Sequence, residues 1–309
     1  MNMERIKNQF PAMWRMMHNQ KERYYTFLGK HFPEKLIRAR YKQAFNREID
    51  LVNPRTFDEK INWLKLYSDT SLWSRCADKY EVRHYVEERG LGHVLNEIYG
   101  VYDSVEDIDF DKLPDSFVLK ATNGGGGKEV LIVKDKWDLD ISQTKKLLQK
   151  WLIKKVGYSY YEPHYFTIKP RIIAEKYLKP HDGDASLIDF KFNCFDGKAY
   201  SVFLCSDRKF NESVHCSVYD LDWNVRPSCI TSKYATDVVY PRPHSLEKMI
   251  EYSNILSKGI PYVRVDWYEI NGEPVLSEMT FTSSAGFHRA CSYEYEIELG
   301  NQLKLPLNN

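Results

Sequence analysis

Apolar residues recur at the spacing of an amphipathic helix in the first eighty residues of the chain. Ile61, Leu64 and Tyr67 fall three residues apart, so they would share one face of a helix. Thr56, which a glutamate follows three residues later, has the pattern of a helix N-cap. A further helix is predicted over residues 74–88. This part of the chain is therefore predicted to be helical.

Short runs of β-branched and aromatic residues replace the helical pattern after residue 100. They predict strands over residues 117–122, 130–133, 171–178, 189–195 and 199–205. Helices are predicted over residues 142–155, 246–257 and 294–299. Because the strands are mostly joined as hairpins and the helices stand apart from them, the expected fold class is α+β.

The segment 263–280 has the strongest hairpin signal in the chain. Two strand-like runs meet at Asn271-Gly272, a dipeptide that favours a tight turn. Side chains alternate between the faces of a strand, so Arg264 and Asp266 are expected on one face. The length of the loop then decides which residues of the second strand join them.

Two loop lengths give opposite results for the second strand. A two-residue loop would set Asp266 opposite Ser277 and put Glu278 on the other face of the sheet. A three-residue loop would put Arg264, Asp266, Glu278 and Thr280 on one face. Two carboxylates beside a guanidinium would form a candidate magnesium site. The alternative is an ordinary hairpin whose polar residues face solvent.

Composition narrows the class of protein. The 309 residues are 43% hydrophobic, which is enough for one large domain or two to three modest ones. No window approaches 18 uninterrupted apolar residues, and the N-terminus lacks an apolar signal core. The six cysteines form no Cys-x-x-Cys pair, zinc motif or disulfide framework. A cytoplasmic location is expected.

Basic residues are concentrated at the N-terminus. Residues 1–47 contain eleven Lys/Arg and three Glu, a net charge of +8 in a chain whose formal charge is +1. Interleaved apolar residues make the region amphipathic. It could lie on anionic lipid at the inner membrane face, or it could dock on the acidic remainder of the chain. No recognition motif accompanies the charge, so nucleic acid is not expected as a partner.

A glycine-rich loop joins the strands predicted at 117–122 and 130–133. It contains four consecutive glycines: Gly124, Gly125, Gly126 and Gly127. Lys120 and Lys128 flank it. The backbone N–H groups of such a loop can surround a phosphate, although a flexible hairpin tip would have the same composition. The loop matches neither the Walker nor the dinucleotide-binding pattern.

Several further polar residues are candidates for a binding site. Glu175 and Lys176 end an apolar strand where two units would join, and a strand end of this kind can hold adenine. Lys191, on an alternating strand, and Arg208, after the following one, could each contact a phosphate or face water. Asp220 and Asp222 match the two-carboxylate metal motif of many glycosyltransferases, which is short and frequent by chance.

Taken in order, these segments resemble the TupA-like branch of the ATP-grasp enzymes, which is linked to teichuronopeptide and surface-polysaccharide synthesis. The resemblance rests on five blocks, at residues 53–67, 77–83, 113–120, 169–178 and 278–282. It implies an ATP-grasp fold, in which two α+β units enclose the nucleotide, preceded by a helical N-terminal region.

The resemblance also implies a division of the chain into four parts. These are a basic helical region (1–78), a connecting segment (79–116), a small lid subdomain (117–175) and a C-terminal subdomain with the metal site (176–309).

Roles for individual residues follow from the same resemblance. Lys120 matches the lysine that contacts the α- and β-phosphates, and the four glycines with Lys128 match the phosphate-covering flap. Glu175 matches the adenine-contacting acid, with Lys176 and Leu178 contributing backbone contacts.

The resemblance assigns the hairpin residues to the metal and the reacting groups. Asp266 and Glu278 match the magnesium carboxylates, which favours the three-residue loop, and Thr280 stands where other ATP-grasp ligases have Asn. Arg264 matches the arginine that steadies negative charge on the acyl carbon. Lys191 matches a γ-phosphate contact, and Arg208 is a further catalytic candidate.

One segment departs from the expected pattern. Residues 283–287 read Ser-Ser-Ala-Gly-Phe where a Pro-Gly-Ser-Gly-like turn would be expected.

The implied activity is that of an ATP- and Mg²⁺-dependent carboxylate–amine ligase. It would attach an amino acid or other amine to a bacterial surface polysaccharide or its precursor, through an acyl phosphate. The alternatives are a glycosyltransferase of the same pathway, which would use Asp220 and Asp222, an ATP-grasp sugar kinase, and a non-catalytic adaptor.

Overall fold

A computed structural model describes residues 10–127, 129–180, 187–206 and 215–306, and it confirms the α+β class. The helices are α1 Pro11–His31, α2 Pro33–Phe45, α3 Phe57–Tyr67, α4 Ser71–Ala77, α5 Glu81–Glu88, α6 Ile141–Leu152, α7 Leu246–Ser257 and α8 Tyr293–Gln302. The strands are β1 Ile98–Tyr102, β2 Phe117–Ala121, β3 Val130–Val133, β4 Ile172–Lys176, β5 Phe190–Phe195, β6 Lys198–Ser206, β7 His215–Tyr219, β8 Val263–Ile270 and β9 Glu273–Thr280. They form two antiparallel sheets.

The smaller sheet has four strands in the order β1-β4-β2-β3. Helix α6 packs on it through Leu148 and Trp151, which lie in the same apolar core as the buried residues of β2 and β4. Strand β1 lies within the predicted connecting segment 79–116, and it pairs with β4. The sheet therefore begins nearer the N-terminus than the predicted lid subdomain 117–175.

The larger sheet has five strands in the order β7-β6-β5-β8-β9. Helix α7 packs on β5, β6 and β8. The indole of Trp267 on β8 is fully buried and donates a hydrogen bond to the Ser253 hydroxyl of α7 at 2.8 Å. Buried packing of this kind holds β8 rigid, so polar residues on its other face have fixed positions.

Local side-chain hydrogen bonds act at the starts of α3 and α5. The predicted N-cap of α3 is confirmed, since the Thr56 hydroxyl accepts a hydrogen bond from the Glu59 amide at 3.2 Å. The single helix predicted over residues 74–88 is wrong, because α4 ends at Ala77 and α5 starts at Glu81. Between them the Asp78 carboxylate accepts two backbone amides of the following turn. That hydrogen bonding competes with a continuous helix.

The hairpin loop between β8 and β9 has two residues. Ile270 pairs with Glu273, and the turn residues Asn271 and Gly272 have φ values of 53° and 77°. Positive φ at both central residues defines the tight turn that Asn-Gly favours. The three-residue loop that the resemblance favoured is therefore wrong.

A β-bulge in β9, not the loop, brings the predicted metal residues to one face. Trp267 pairs with Leu276, but the next residue of β8, Asp266, pairs with Glu278. Ser277 is the extra residue, and it shifts the alternation of β9 by one position. Arg264 then pairs with Thr280 in the same register. The prediction that the four polar residues share a face is retained for a different physical reason.

The N-terminal helices dock on the body of the protein. Gly29 of α1 lies so close to the Tyr158 carbonyl that a Cβ atom at Gly29 would be 1.9 Å from its oxygen. The guanidinium of Arg40 on α2 lies between the rings of Tyr25 and Tyr160, 3.7 and 4.0 Å from their centroids. Of the two interpretations of the basic region, docking describes this side of α1 and α2.

Another side of α1 carries exposed apolar residues. These are Phe10, which precedes the helix, Met13, Met16, Met17, Tyr24 and Phe27, followed by Phe32 after its end. No helix among the described residues has the length and apolar character needed to cross a bilayer.

Candidate active site

A cleft lies between the two sheets. The smaller sheet contributes Lys120 and Glu175, and the larger sheet contributes Tyr268 and the end of β9 around Glu278. The turn between α4 and α5 closes a third side with Lys79. Residues from distant parts of the chain, including three of the nine predicted nucleotide-binding residues (Lys120, Glu175 and Leu178), thus line one concave surface.

Lys120 and Glu175 form an ion pair on the smaller sheet. They lie on the neighbouring strands β2 and β4, and the Lys120 ammonium donates to a Glu175 carboxylate oxygen at 2.6 Å. The Glu175 side chain is 11% exposed and that of Lys120 is 22% exposed. The pair places one donor and one acceptor at the wall of the cleft, where a nucleotide could contact both.

Arg264 is the centre of the polar cluster on the larger sheet. Its guanidinium donates to both carboxylate oxygens of Asp266, at 2.7 and 2.6 Å. It also reaches a Glu278 carboxylate oxygen at 3.3 Å, the Thr280 hydroxyl at 3.1 Å and the Ser283 hydroxyl at 2.6 Å. A planar guanidinium with five N–H donors can make all these contacts in one orientation.

Lys191 adds a second cation to this cluster. Its ammonium donates to Asp266 at 2.9 Å and also contacts Asp189. Lys191 is 2% exposed and Asp266 is fully buried. Burial of charges is tolerated when they are paired and hydrogen-bonded, which describes this group. Lys191 therefore bonds Asp266 within the protein interior and does not line the cleft.

Glu278 is the carboxylate of the Arg264 cluster that lines the cleft. Its side chain is 37% exposed, and Lys79 approaches it at 4.0 Å. Burial tends to raise the pKa of Glu278, but the charges of Lys79, Arg264 and Lys191 outweigh this effect and bring the pKa to about 2. Glu278 is thus ionised at neutral pH.

Part of this carboxylate cluster fits a divalent cation. Glu278 and the Thr280 hydroxyl offer oxygen ligands beside the cleft, which is the donor type that Mg²⁺ prefers. Asp266 is different, because it is buried and both of its oxygens already accept hydrogen bonds from Arg264 or Lys191. The repulsion between carboxylates that the sequence suggested is relieved by Arg264. Asp266 would reach a cation only if one of its cationic partners moved.

The glycine-rich loop is joined to this site through Lys79. The Lys79 ammonium donates to the Gly124 carbonyl at 2.7 Å, and the Lys79 amide donates to Thr122 at 3.0 Å. Gly126 and Gly127 have φ values of 67° and 73°, which few residues other than glycine adopt. One lysine therefore connects the loop to Glu278.

The remaining residues predicted for the nucleotide site and the catalytic step lie in different places. Leu178 lines the cleft. The Lys176 amide donates to the Glu97 carbonyl, and its carbonyl accepts from the Asn96 side chain, so its backbone groups are already bonded. Lys128 and Arg208 lie outside the described residues.

Asp220 has a local role in a turn. Its carboxylate accepts hydrogen bonds from the amides of Asp222 and Asn224, at 3.0 and 2.8 Å. A side-chain-to-backbone pattern of this kind stabilises a turn and uses the lone pairs that a metal ion would need.

Sequence reasoning missed three residues of the site. Lys79 was inside a recognised block, Asp189 began a predicted strand and Ser283 began the segment that departs from the family pattern, but none of the three had an assigned role. For Lys79, the neighbouring Asp78 that starts a new helix was a usable signal. The contact between Ser283 and Arg264 depends on tertiary packing, and no local pattern indicates it.

This cleft between two α+β units, with a glycine-rich loop at its edge, has the arrangement of the ATP-grasp enzymes. The chain belongs to the TupA-like ATP-grasp family, whose sequence profile matches residues 59–304. None of the curated proteins matches the chain.

Solved structures similar to this chain include other ATP-grasp proteins. The D-alanine–D-alanine ligase of Bacillus anthracis shares 18% identity over 74% of this chain and 67% of its own, with a TM-score of 0.42. The corresponding ligase of Helicobacter pylori shares 12% identity over 82% of this chain and 68% of its own, with a TM-score of 0.43. The ATP-grasp ligase PsnB, complexed with a minimal precursor, shares 10% identity over 79% of this chain and 67% of its own, with a TM-score of 0.39.

Proposed function

We propose that this protein is an ATP- and Mg²⁺-dependent carboxylate–amine ligase that acts through an acyl phosphate. The single observation that carries the proposal is the position of Arg264, which bonds the buried Asp266, Thr280 and the cleft-lining Glu278 in one cluster. The Lys120–Glu175 pair lies on the opposite wall. A nucleotide between these walls would have its base near Glu175 and its phosphates near Glu278.

The proposed reaction has two steps, phosphorylation of the carboxylate and attack by the amine. A carboxylate oxygen of the first substrate attacks the γ-phosphorus of ATP, and the bond from that phosphorus to the β-bridging oxygen breaks to release ADP. An amine then attacks the acyl carbon, phosphate leaves with the electrons of the carbon–oxygen bond, and the amine loses a proton to solvent. The products are an amide, ADP and phosphate.

The residues of the chain would supply position and charge. The Lys120 ammonium would exchange its ion pair with Glu175 for contacts to the phosphates of ATP. Arg264 would stabilise the oxyanion at the acyl carbon. Glu278 and Thr280 would hold Mg²⁺, which supplies positive charge to the phosphate oxygens when bound. Lys79 would follow the glycine-rich loop as it closes, because it contacts Gly124. Closure of the loop would keep water from the acyl phosphate.

The proposed acceptor is a bacterial surface polysaccharide or its precursor, and the donor is an amino acid or other amine. Family membership supports this choice, and the cleft geometry is neutral on it. A sugar kinase would use the same nucleotide site without an amine. A glycosyltransferase reaction at Asp220 and Asp222 has less support, because Asp220 is already bonded within its own turn.

Substituting Lys120 by methionine is expected to weaken ATP binding at least about tenfold, because a charge-assisted contact to phosphate is lost. Calorimetric titration of ATP with Mg²⁺ into the wild type and K120M measures this. Lys134→Met, at an exposed lysine just past the end of β3, is the matched control and should bind as the wild type does. Binding of a UDP-sugar but not of ATP to the wild type would instead favour the glycosyltransferase.

We further propose that α1 contacts an anionic membrane surface. Its exposed apolar residues Met13, Met16 and Met17 are between 42% and 64% exposed, and Arg15, Arg23 and Lys30 lie on the same helix. An exposed apolar face with flanking basic residues is the pattern of a helix that lies in the headgroup region. The location would then be cytoplasmic and peripheral at the inner membrane face.

Replacing Met13, Met16 and Met17 together by glutamate is expected to abolish sedimentation with vesicles of phosphatidylcholine and phosphatidylglycerol. The wild type should sediment with these vesicles less at high salt, and not with phosphatidylcholine alone. Ile153→Glu, at a residue that is 71% exposed elsewhere on the surface, is the control. If the triple variant sediments as well as the wild type, α1 is not the membrane contact.

A further inference from the structure

A second pocket opens beside the segment that follows β9. Arg40 and Gln43 of α2 form one side, Tyr160 a second, and Ser284, Phe287 and Arg289 the remainder. It lies outside the cleft that holds Lys120 and Glu175, since the two share no lining residue. None of the residues predicted from the sequence for the nucleotide or the metal lines it.

The lining of this pocket is positively charged. It contains two arginines and no acidic residue. Arg40 is 8% exposed. Its Nε and Nη2 atoms donate to the Ser159 carbonyl at 3.1 and 2.9 Å, and Nη2 also pairs with a Glu22 carboxylate oxygen at 3.4 Å, so Nη1 is the nitrogen without a hydrogen bond among the described residues. Arg289 is exposed, and within the described residues its side chain makes neither a hydrogen bond nor an ion pair. Two guanidinium groups therefore have donors available for an anion.

Backbone strain marks the wall of the pocket. Ser284 and Ala285 have φ values of 49° and 57°, and Gly286 follows with 79°. Non-glycine residues in the left-handed region are strained, and such strain is concentrated at functional sites. The buried side chains of Lys65 and Asn62 hold this conformation, by donating to the Ala285 and Gly286 carbonyls at 3.0 and 2.8 Å.

The same segment connects the pocket to the polar cluster around Arg264. Ser283 accepts a hydrogen bond from Arg264, and the next residue, Ser284, lines the pocket. A ligand in the pocket could thus extend one end towards Arg264. The rings of Tyr160 and Phe287 lie 6.0 Å apart between centroids and give the pocket an aromatic wall, against which a ring of a ligand can pack.

We propose that this pocket binds a non-reacting carboxylate of the ring-bearing carboxylate substrate, with Arg40 and Arg289 as its recognition residues, while the carboxylate that attacks ATP lies towards Arg264. The choice of a sugar as the ring rests on the proposed function. In this arrangement the N-terminal helix α2 is a wall of the substrate site, which explains why Arg40 is held between Tyr25 and Tyr160.

The test is titration of glucuronate, glucose 6-phosphate and glucose into the protein without nucleotide. The wild type should bind glucuronate, with no measurable binding of glucose. Arg289→Ala should weaken glucuronate binding roughly tenfold, and Arg289→Glu should abolish it. The exposed Arg289 side chain makes neither a hydrogen bond nor an ion pair with the described residues, so neither variant should unfold the protein. Arg55→Ala, at an exposed arginine outside the pocket, should bind as the wild type does.

Each other outcome has a defined meaning. Equal binding of glucose and glucuronate, or no change in R289A, overturns the proposal. Stronger binding of glucose 6-phosphate than of glucuronate overturns the assignment of the anion as a carboxylate. A parallel titration of ATP separates the two sites. ATP affinity should stay within about twofold in all Arg289 variants, and absence of ATP binding to the wild type would contradict the proposed function alone.

Discussion

Replacing Arg264 by alanine is expected to lower the free energy of unfolding by about 3–5 kcal/mol and to abolish ATP turnover. The change removes the donor that bonds both oxygens of Asp266, a fully buried carboxylate, and leaves Lys191 and Asp189 as its charged neighbours. A buried charge without adequate partners is costly, and this cost exceeds the net stabilisation of the original pair. Urea denaturation followed by circular dichroism measures the difference.

Two further variants make the Arg264 result interpretable. Arg264→Lys keeps the charge but cannot bond both oxygens of Asp266, so it should be intermediate in stability and still inactive. Arg226→Ala removes an arginine that bonds Glu298 through two nitrogens at 2.8 Å, but the two side chains are 30% and 31% exposed. It should cost no more than about 1 kcal/mol. Equal unfolding midpoints for R264A and the wild type would contradict the structure of the cluster.

Replacing Glu278 by glutamine is expected to reduce Mg²⁺-dependent ATP turnover by on the order of 10²–10³-fold with little change in fold. Glu278 is the carboxylate of the Arg264 cluster that lines the cleft, and glutamine has its shape without its charge. The Mg²⁺ concentration needed for half-maximal activity should also rise. Glu273→Gln, an exposed glutamate of the same hairpin that pairs with Lys248, is the matched control.

The pH dependence of Glu278 follows from its low pKa. Its pKa is about 2 in the folded protein and near the ordinary 4.3 in the unfolded chain. A lowered pKa means that the unfolded state binds protons first as the pH falls. The stabilisation by Glu278 is therefore present above pH 4.3 and is lost as the pH falls towards 2. Acid unfolding curves of the wild type and E278Q should converge in this range, and curves that stay parallel would show that Glu278 is not held by its cationic neighbours.

Hydrophobic periodicity and local signals determined much of the architecture. The N-cap at Thr56, helix α7 and the Asn-Gly turn depend on residues close together in the chain, so the sequence contains their full physical cause. The resemblance to the family was sufficient to select Lys120, Glu175, Arg264 and Glu278, which the structure brings to the two walls of one cleft or its edge.

The hairpin shows where local reasoning ended. The turn was identified from two residues, but the register of β9 depends on the bulge at Ser277. A bulge is favoured by packing across the whole sheet, and no dipeptide signals it. The correct set of residues on one face was therefore reached through an incorrect loop length.

By itself, the sequence determined the α+β class, the family and the identity of the polar residues at the cleft, because helix and strand periods and short motifs are properties of neighbouring residues. Only the tertiary structure decided how their charges are balanced. Arg264 and Lys191 occupy the oxygens of Asp266, Lys79 reaches from a distant helix start to Glu278, and Arg40 meets Arg289 across a pocket. These contacts join residues far apart in the chain, and their energies depend on burial, which exists only once the chain has folded.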